Sequence, residues 1–119
     1  MDNSSGKLGE ELACEYLRNN GYKILIRNYE VHNVGEIDIA AKKNGTLYII
    51  EVKTRKVDHI GTYGPPEVFI TKSKMGKIYK TSRYLIRHLR AYDMNIEFWA
   101  ISVVMNDKKE PCSIDMIEI

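Results

Sequence analysis

The chain has few of the features that mark membrane, secreted or zinc-binding proteins. It has only two cysteines in 119 residues, Cys14 and Cys112, which are far apart and match no metal-ligand spacing. No apolar run approaches the roughly 18 residues that a membrane span needs, and residues 1–11 lack the basic stretch and apolar core of a signal peptide. No Walker loop, dinucleotide fingerprint or Ser/His/Asp signature is present. We therefore expect a cytoplasmic protein with reduced thiols, forming one domain over residues 1–119.

Positive charge is concentrated in the middle third of the chain. Residues 53–90 carry ten Lys/Arg and two Asp/Glu, whereas the segments on either side are net acidic. Most of the basic residues repeat at helical spacing: Lys74, Lys77, Lys80, Arg83, Arg87 and Arg90. Such a stripe indicates either an electrostatic contact surface for a polyanion or a solvated helix face.

Apolar periodicity predicts the element order αβββαββ. Helices are expected over residues 5–20 and 71–91, and strands over 23–28, 36–42, 46–54, 97–104 and 113–119. Residues 56–70, rich in Gly and Pro, are expected to form an irregular loop, from which His59 and Tyr63 could cover a site. An α/β sandwich around one mixed sheet fits this order.

A predicted hairpin brings acidic residues together. Asn44–Gly45 between two apolar runs favours a type I′ turn, in which Lys43 pairs with Thr46. Extending that register places Asp38 opposite Glu51, and Glu36 opposite Lys53. Directly opposed side chains lie about 4.5–5.5 Å apart between Cβ atoms. The same alternation assigns Ile37 and Ile39 to the other face of the hairpin.

Two opposed carboxylates need a positive charge near them. One interpretation is an ordinary ion pair in which Lys53 neutralises Glu51. The other is a Mg²⁺ (or Mn²⁺) site held by Asp38 and Glu51, with the backbone carbonyl of Val52 as a further ligand. Such an ion would polarise a phosphodiester and activate water, and Lys53 could orient that water or stabilise developing charge.

These residues match a known pattern. Asp38, followed thirteen residues later by Glu51-Val52-Lys53, resembles the Asp…Glu-X-Lys core of the restriction-endonuclease-like nuclease superfamily. More closely, the chain resembles the YraN-type family of small predicted endonucleases, relatives of archaeal Holliday junction resolvases. The resemblance covers roughly residues 6–104 and includes Gly9-Glu10, Tyr16-Leu17, Gly21-Tyr22, Arg27-Asn28, Gly35 to Ala40, Glu51 to Arg55, Pro66-Glu67, Thr71, Lys74 and Tyr84-Leu85. Many members carry Arg-Phe-Asp where this chain reads Glu97-Phe98-Trp99, so a site role for that strand is not carried over.

The resemblance implies a restriction-endonuclease-like three-layer sandwich and a metal-dependent endodeoxyribonuclease, with branched or structured DNA as one candidate substrate. It implies Glu10 as a further catalytic residue. Helical geometry alone does not choose between Glu10 and Glu15, which flank the two edges of the apolar stripe. It places Glu11 away from that stripe. Glu36 is expected to support Lys53 or to form an ion pair only. Lys74, Lys77 and Arg55 are expected to contact DNA.

Three functional hypotheses follow. The first is Mg²⁺-dependent hydrolysis of DNA by Glu10, Asp38, Glu51 and Lys53, in which cutting both strands would favour a homodimer. The second is a non-catalytic nucleic-acid-binding module on the same fold, which would bind DNA without metal. The third is a protein-interaction domain whose acidic cluster is only an ion-pair network.

Overall fold

The order of helices and strands along the chain agrees with the predicted αβββαββ order. The computed structural model describes residues 4–57 and 70–119. Its elements are α1 (Ser4–Asn19), β1 (Lys23–Val31), β2 (Gly35–Lys43), β3 (Thr46–Lys56), α2 (Lys72–Leu89), β4 (Asn95–Met105) and β5 (Pro111–Glu118). Strand β1 is longer than predicted. Most of the predicted loop lies outside the described residues, including His59, Tyr63 and the Pro66-Glu67 pair.

The five strands form one mixed sheet in the order β1-β2-β3-β4-β5. Neighbouring strands are antiparallel except β3 and β4, which run parallel from Thr46↔Asn95 to Lys56↔Met105. A parallel pair needs a long crossover connection, and α2 lies within it. The predicted mixed sheet is therefore confirmed, with its single parallel pair beside the hairpin.

The β2–β3 hairpin has the predicted turn. Asn44 and Gly45 have positive φ angles of 49° and 78°, as a type I′ turn requires. Lys43 pairs with Thr46, and the same register continues to Ile39↔Ile50. The turn chemistry thus predicted the register correctly over these pairs.

Each face of the sheet packs against one helix. Ala13, Cys14 and Leu17 of α1 are fully buried in a cluster with residues of β2, β3 and β4. Ile78 and Leu85 of α2 form a second cluster with β2 and β3. Neither helix is long and apolar enough to cross a membrane, as judged over the described ranges.

The alternation of side chains breaks at Asp38. Ile39 belongs to the cluster under α1, but Ile37 belongs to the cluster under α2, so the prediction that both share one face is wrong. The register of β1 and β2 runs through Arg27↔Ile39 and Tyr29↔Ile37 without a pair between Asn28 and Asp38. Asn28 has a φ of 52°, and this left-handed residue turns the β1 backbone where the alternation fails.

Candidate functional site

The site begins where β2 and β3 separate. Their ladder stops at Ile39↔Ile50, one pair before Asp38 and Glu51 would pair. In an unbroken ladder Val52 would face Ile37. Instead, the Val52 N–H donates a hydrogen bond of 2.8 Å to Oδ2 of Asp38. The expected backbone pairing of Asp38 with Glu51 therefore does not form, because the Asp38 carboxylate takes a donor that the ladder would use.

Glu36 does not pair with Lys53, contrary to the hairpin extrapolation. The β2–β3 register ends at Ile39↔Ile50, before it reaches Glu36. On the other edge of β2, Glu36 pairs with Glu30 of β1. Burial raises the pKa of Glu36, and Asp38 and Glu30 raise it further, while Lys74 lowers it. Glu36 therefore adds negative charge near Asp38, and its support of Lys53 stays a prediction.

Asp38 and Glu51 form an acidic pair that burial makes unfavourable in its ionised form. The Glu51 residue is only 7% exposed and shares a small crevice with Ile37 and Ile78. Burial raises its pKa, and the Asp38 carboxylate raises it further, against the lowering effect of Lys74 and Lys53. Burial also raises the pKa of Asp38, against the Val52 hydrogen bond and the same two lysines. The pair therefore favours additional positive charge.

Two lysines supply part of that charge. Lys74 Nζ lies 3.1 Å from Glu51 Oε1, and Lys53 Nζ lies 3.9 Å from the same oxygen. Lys53 therefore lies near Glu51, as predicted, but Lys74 makes the shorter contact. The Thr71 hydroxyl accepts a 3.1 Å hydrogen bond from the Lys74 N–H, which caps α2 and sets Lys74 in its first turn. Sequence reasoning assigned Lys74 to DNA and missed its contact with Glu51, because that contact joins two distant elements.

Glu10 of α1 reaches the same region from the other helix. Burial raises the pKa of Glu10, Asp38 raises it further, and Arg27 lowers it. Its Oε1 atom is buried and accepts no hydrogen bond from any described residue. The neighbouring Glu11 accepts a 2.7 Å hydrogen bond from Arg27, and Glu15 is exposed. Of the three glutamates, Glu10 is therefore the one close enough to Asp38 for that carboxylate to raise its pKa.

A glycine allows α1 to approach the sheet at this point. A Cβ atom on Gly9 would collide with the Thr54 hydroxyl on β3. The close approach brings Glu10, the next residue, over the region where β1, β2 and β3 lose their regular pairing. A cavity of about 370 Å³ beside it is lined by Lys7, Glu10, Glu11, Arg27 and Asn28.

The remaining predicted residues lie outside the acidic pair. Arg55 and Lys77 are exposed, and Lys77 lines a groove with the β1–β2 turn and Glu36. Their contact with DNA stays a prediction. The Val52 N–H has a defined role on Asp38, whereas its carbonyl as a metal ligand also stays a prediction.

The two carboxylates suit a hard cation that keeps several water ligands when it binds. Across residues 4–57 and 70–119, no three His, Cys, Asp or Glu side chains are grouped closely enough to hold a metal ion. Mg²⁺ commonly uses only one or two protein carboxylates and keeps several waters. Asp38 and Glu51 each use one oxygen in the contacts above, and the second oxygen of each could accept a cation. The pair therefore suits Mg²⁺ better than it suits a metal ion that needs all of its ligands from the protein.

Comparison with known proteins identifies relatives along almost the whole chain. The model of the "Uncharacterised protein family UPF0102" matches residues 9–119. A "UPF0102 protein" of Persephonella marina is 42% identical over 102 residues, covering 86% of this chain and 84% of that protein. Others from Syntrophus aciditrophicus and Clostridium botulinum strain Hall are 37% and 39% identical over 114 residues, covering 96% and 95% of this chain and 85% and 89% of theirs. These names state no activity.

Proposed function

This chain belongs to UPF0102, a family whose description assigns no activity, so we propose its function from the site itself: Mg²⁺- or Mn²⁺-dependent hydrolysis of phosphodiester bonds in DNA. The observation that carries the proposal is the pair of half-buried Asp38 and buried Glu51, whose carboxylates are both destabilised as anions because burial raises their pKa. An arrangement selected only for stability has no need of such a pair, whereas a metal site does.

The proposal includes a restriction-endonuclease-like fold. Two features of the chain support it: a mixed five-stranded sheet with a helix on each face, and carboxylates at the point where two strands separate. The resemblance of Asp38 and Glu51-Val52-Lys53 to the superfamily core agrees with both.

Each site residue has a proposed part. Asp38 and Glu51 would hold the metal, with the Val52 carbonyl as a third ligand and the Val52 N–H fixing the Asp38 rotamer. The metal would polarise the phosphodiester and lower the pKa of water. Lys53 would stabilise negative charge developing on the phosphoryl oxygens. Glu10, with its raised pKa, would accept a proton from the attacking water.

The direct test is nicking of supercoiled plasmid and of a synthetic four-way junction with Mg²⁺ or Mn²⁺. We expect Asp38→Asn to lower the rate about 100-fold or more, since it removes a charge that acts in the transition state. Glu15→Gln is the matched control, because Glu15 is an exposed carboxylate of α1, unlike Asp38 and Glu51 of the acidic pair. Inactivity of the wild type on every substrate, or equal activity of Asp38→Asn, refutes the catalytic proposal.

A second candidate is a DNA-binding module without catalysis. The basic face of α2 favours it, because that helix contains six Lys/Arg and no Asp/Glu. It predicts salt-sensitive binding that persists in EDTA and in Asp38→Asn, with no nicking under any condition.

A further inference from the structure

A groove lies between α2 and the β1–β2 turn, apart from the acidic pair. Its volume is about 360 Å³, and it is lined by Lys80, Arg83, Tyr84 and Arg87 of the helix and Val34 of the turn. A Cβ on Gly35 would lie 2.7 Å from the Thr81 hydroxyl. Because glycine permits this close approach, the turn forms a wall against the helix.

The cations of this groove have no carboxylate partner among the residues that the structure describes. The ion pairs found among residues 4–57 and 70–119 involve Arg27, Lys53 and Lys74, and none involves Lys80, Arg83 or Arg87. Unpaired cations on one helix face produce a positive potential that attracts a polyanion. A phosphate backbone is the ligand that matches a row of such charges.

Tyr84 gives the groove an aromatic surface between the cations. It is 46% exposed and has Lys80 four residues before it and Arg87 three residues after it, on the same helix face. The equally exposed Tyr79 packs edge-on against Phe98, with ring centroids 4.8 Å apart. Tyr84 has no such ring partner within the part of the chain that the structure describes. An exposed ring between cations can stack on an unpaired base.

We propose that this groove binds an unpaired strand of DNA, with one base stacked on Tyr84 and its phosphates on Lys80, Arg83 and Arg87. The choice of DNA rests on the proposed function. Lys77, in the adjoining groove, extends the basic row toward Lys74 and Glu51. From Lys77 to Arg87 the helix rises about 15 Å, so a bound strand would lead toward the acidic pair. A duplex could use the cations, but its paired bases could not stack on Tyr84.

The test is fluorescence anisotropy in EDTA, with a labelled oligothymidine and a duplex of equal length. We expect Tyr84→Ala to weaken binding of the single strand about 5- to 100-fold and binding of the duplex less than about twofold. Tyr84→Phe should bind the single strand like the wild type, because the ring is kept. Arg87→Ala should weaken both ligands and reduce the salt dependence of binding by about one phosphate contact.

Tyr92→Ala is the matched control, since Tyr92 is 70% exposed and does not line the groove. The inference is overturned if Tyr84→Ala binds the single strand as the wild type does, or weakens both ligands equally. Because EDTA removes the divalent cation that the proposed hydrolysis needs, the anisotropy assay measures DNA binding independently of cleavage. Nicking by the wild type with no effect of Tyr84→Ala refutes only the groove assignment. Selective loss in Tyr84→Ala supports it even if no variant nicks DNA.

Discussion

Replacing Lys74 by methionine tests the electrostatic account of the acidic pair. Lys74 Nζ lies 3.1 Å from Oε1 of Glu51, with side-chain exposures of 46% and 8%. At that distance the attraction is about 5 kcal/mol at an effective dielectric constant of 20 and about 1.3 kcal/mol in water. The ammonium is half exposed, and Lys53 remains 3.9 Å from the same oxygen. We therefore expect the free energy of unfolding to fall by about 1–2 kcal/mol near neutral pH.

The loss should depend on pH in a defined direction. Burial and Asp38 raise the pKa of Glu51, and Lys74 lowers it. Removing Lys74 raises the folded-state pKa further, while the unfolded-state pKa stays near its ordinary value of 4.5. The difference between variant and wild type is therefore full above the folded-state pKa of Glu51 in the variant. It vanishes below the folded-state pKa of Glu51 in the wild type, where Glu51 is protonated in both folded proteins.

The assay is urea or thermal unfolding across this pH range. For a chain of this length, 1 kcal/mol corresponds to about 3–6 °C in Tm. Lys77→Met is the matched control, because Lys77 is exposed and forms no ion pair with another described residue. In a Glu51→Gln background most of the effect of Lys74→Met should disappear. An equal loss at neutral and acidic pH, or with and without the Glu51 carboxylate, refutes the reasoning.

Three further predictions concern stability and metal binding. Glu51→Gln should raise the free energy of unfolding by about 0.5–2 kcal/mol near neutral pH, since the raised pKa of Glu51 makes its ionised form unfavourable in the fold. That gain should fade as pH falls to 4.5. If Glu51→Gln instead lowers the free energy of unfolding near neutral pH, the ion pairs of Glu51 are net stabilising and the prediction is wrong. Gly9→Ala should lower the free energy of unfolding by about 1–3 kcal/mol. Thr54→Ala should recover most of that loss by removing the hydroxyl it meets. Mn²⁺ should stabilise the wild type and so raise its Tm, but it should not raise the Tm of Asp38→Asn. At a free Mn²⁺ concentration of 100 times Kd, the free energy of unfolding of the wild type should rise by about 2.7 kcal/mol.

Much of the secondary structure could be predicted because its signals are local. The Asn44–Gly45 turn required two positive φ angles, which those residue types accept. The predicted end of the first helix at residue 20 is confirmed to within one residue, since α1 ends at Asn19 and Gly21 follows with a φ of 87°. The element order followed from apolar periodicity in the same way. Each of these features depends on residues within a few positions of one another.

The site was predicted only in part, because its decisive contacts are not local. A regular hairpin would continue its register past Ile39↔Ile50, and no sequence rule indicated that the Asp38 carboxylate would take the Val52 N–H. The left-handed conformation of Asn28 is likewise invisible to a pattern of alternating residues. The extrapolated positions of Glu36 and Ile37 were wrong for this reason.

The sequence by itself determined the element order, the hairpin register from Lys43↔Thr46 to Ile39↔Ile50 and the acidic residues that the two strands carry. Through their resemblance to a nuclease core, those residues also led to the proposed chemistry, which stays a proposal. Only the tertiary structure decided that Lys74 of α2 contacts Glu51, and that Glu10 of α1 lies near enough to Asp38 for the two charges to interact. The physical reason is that turn and periodicity signals act over a few residues, whereas the charge balance of a buried site depends on every element that packs around it.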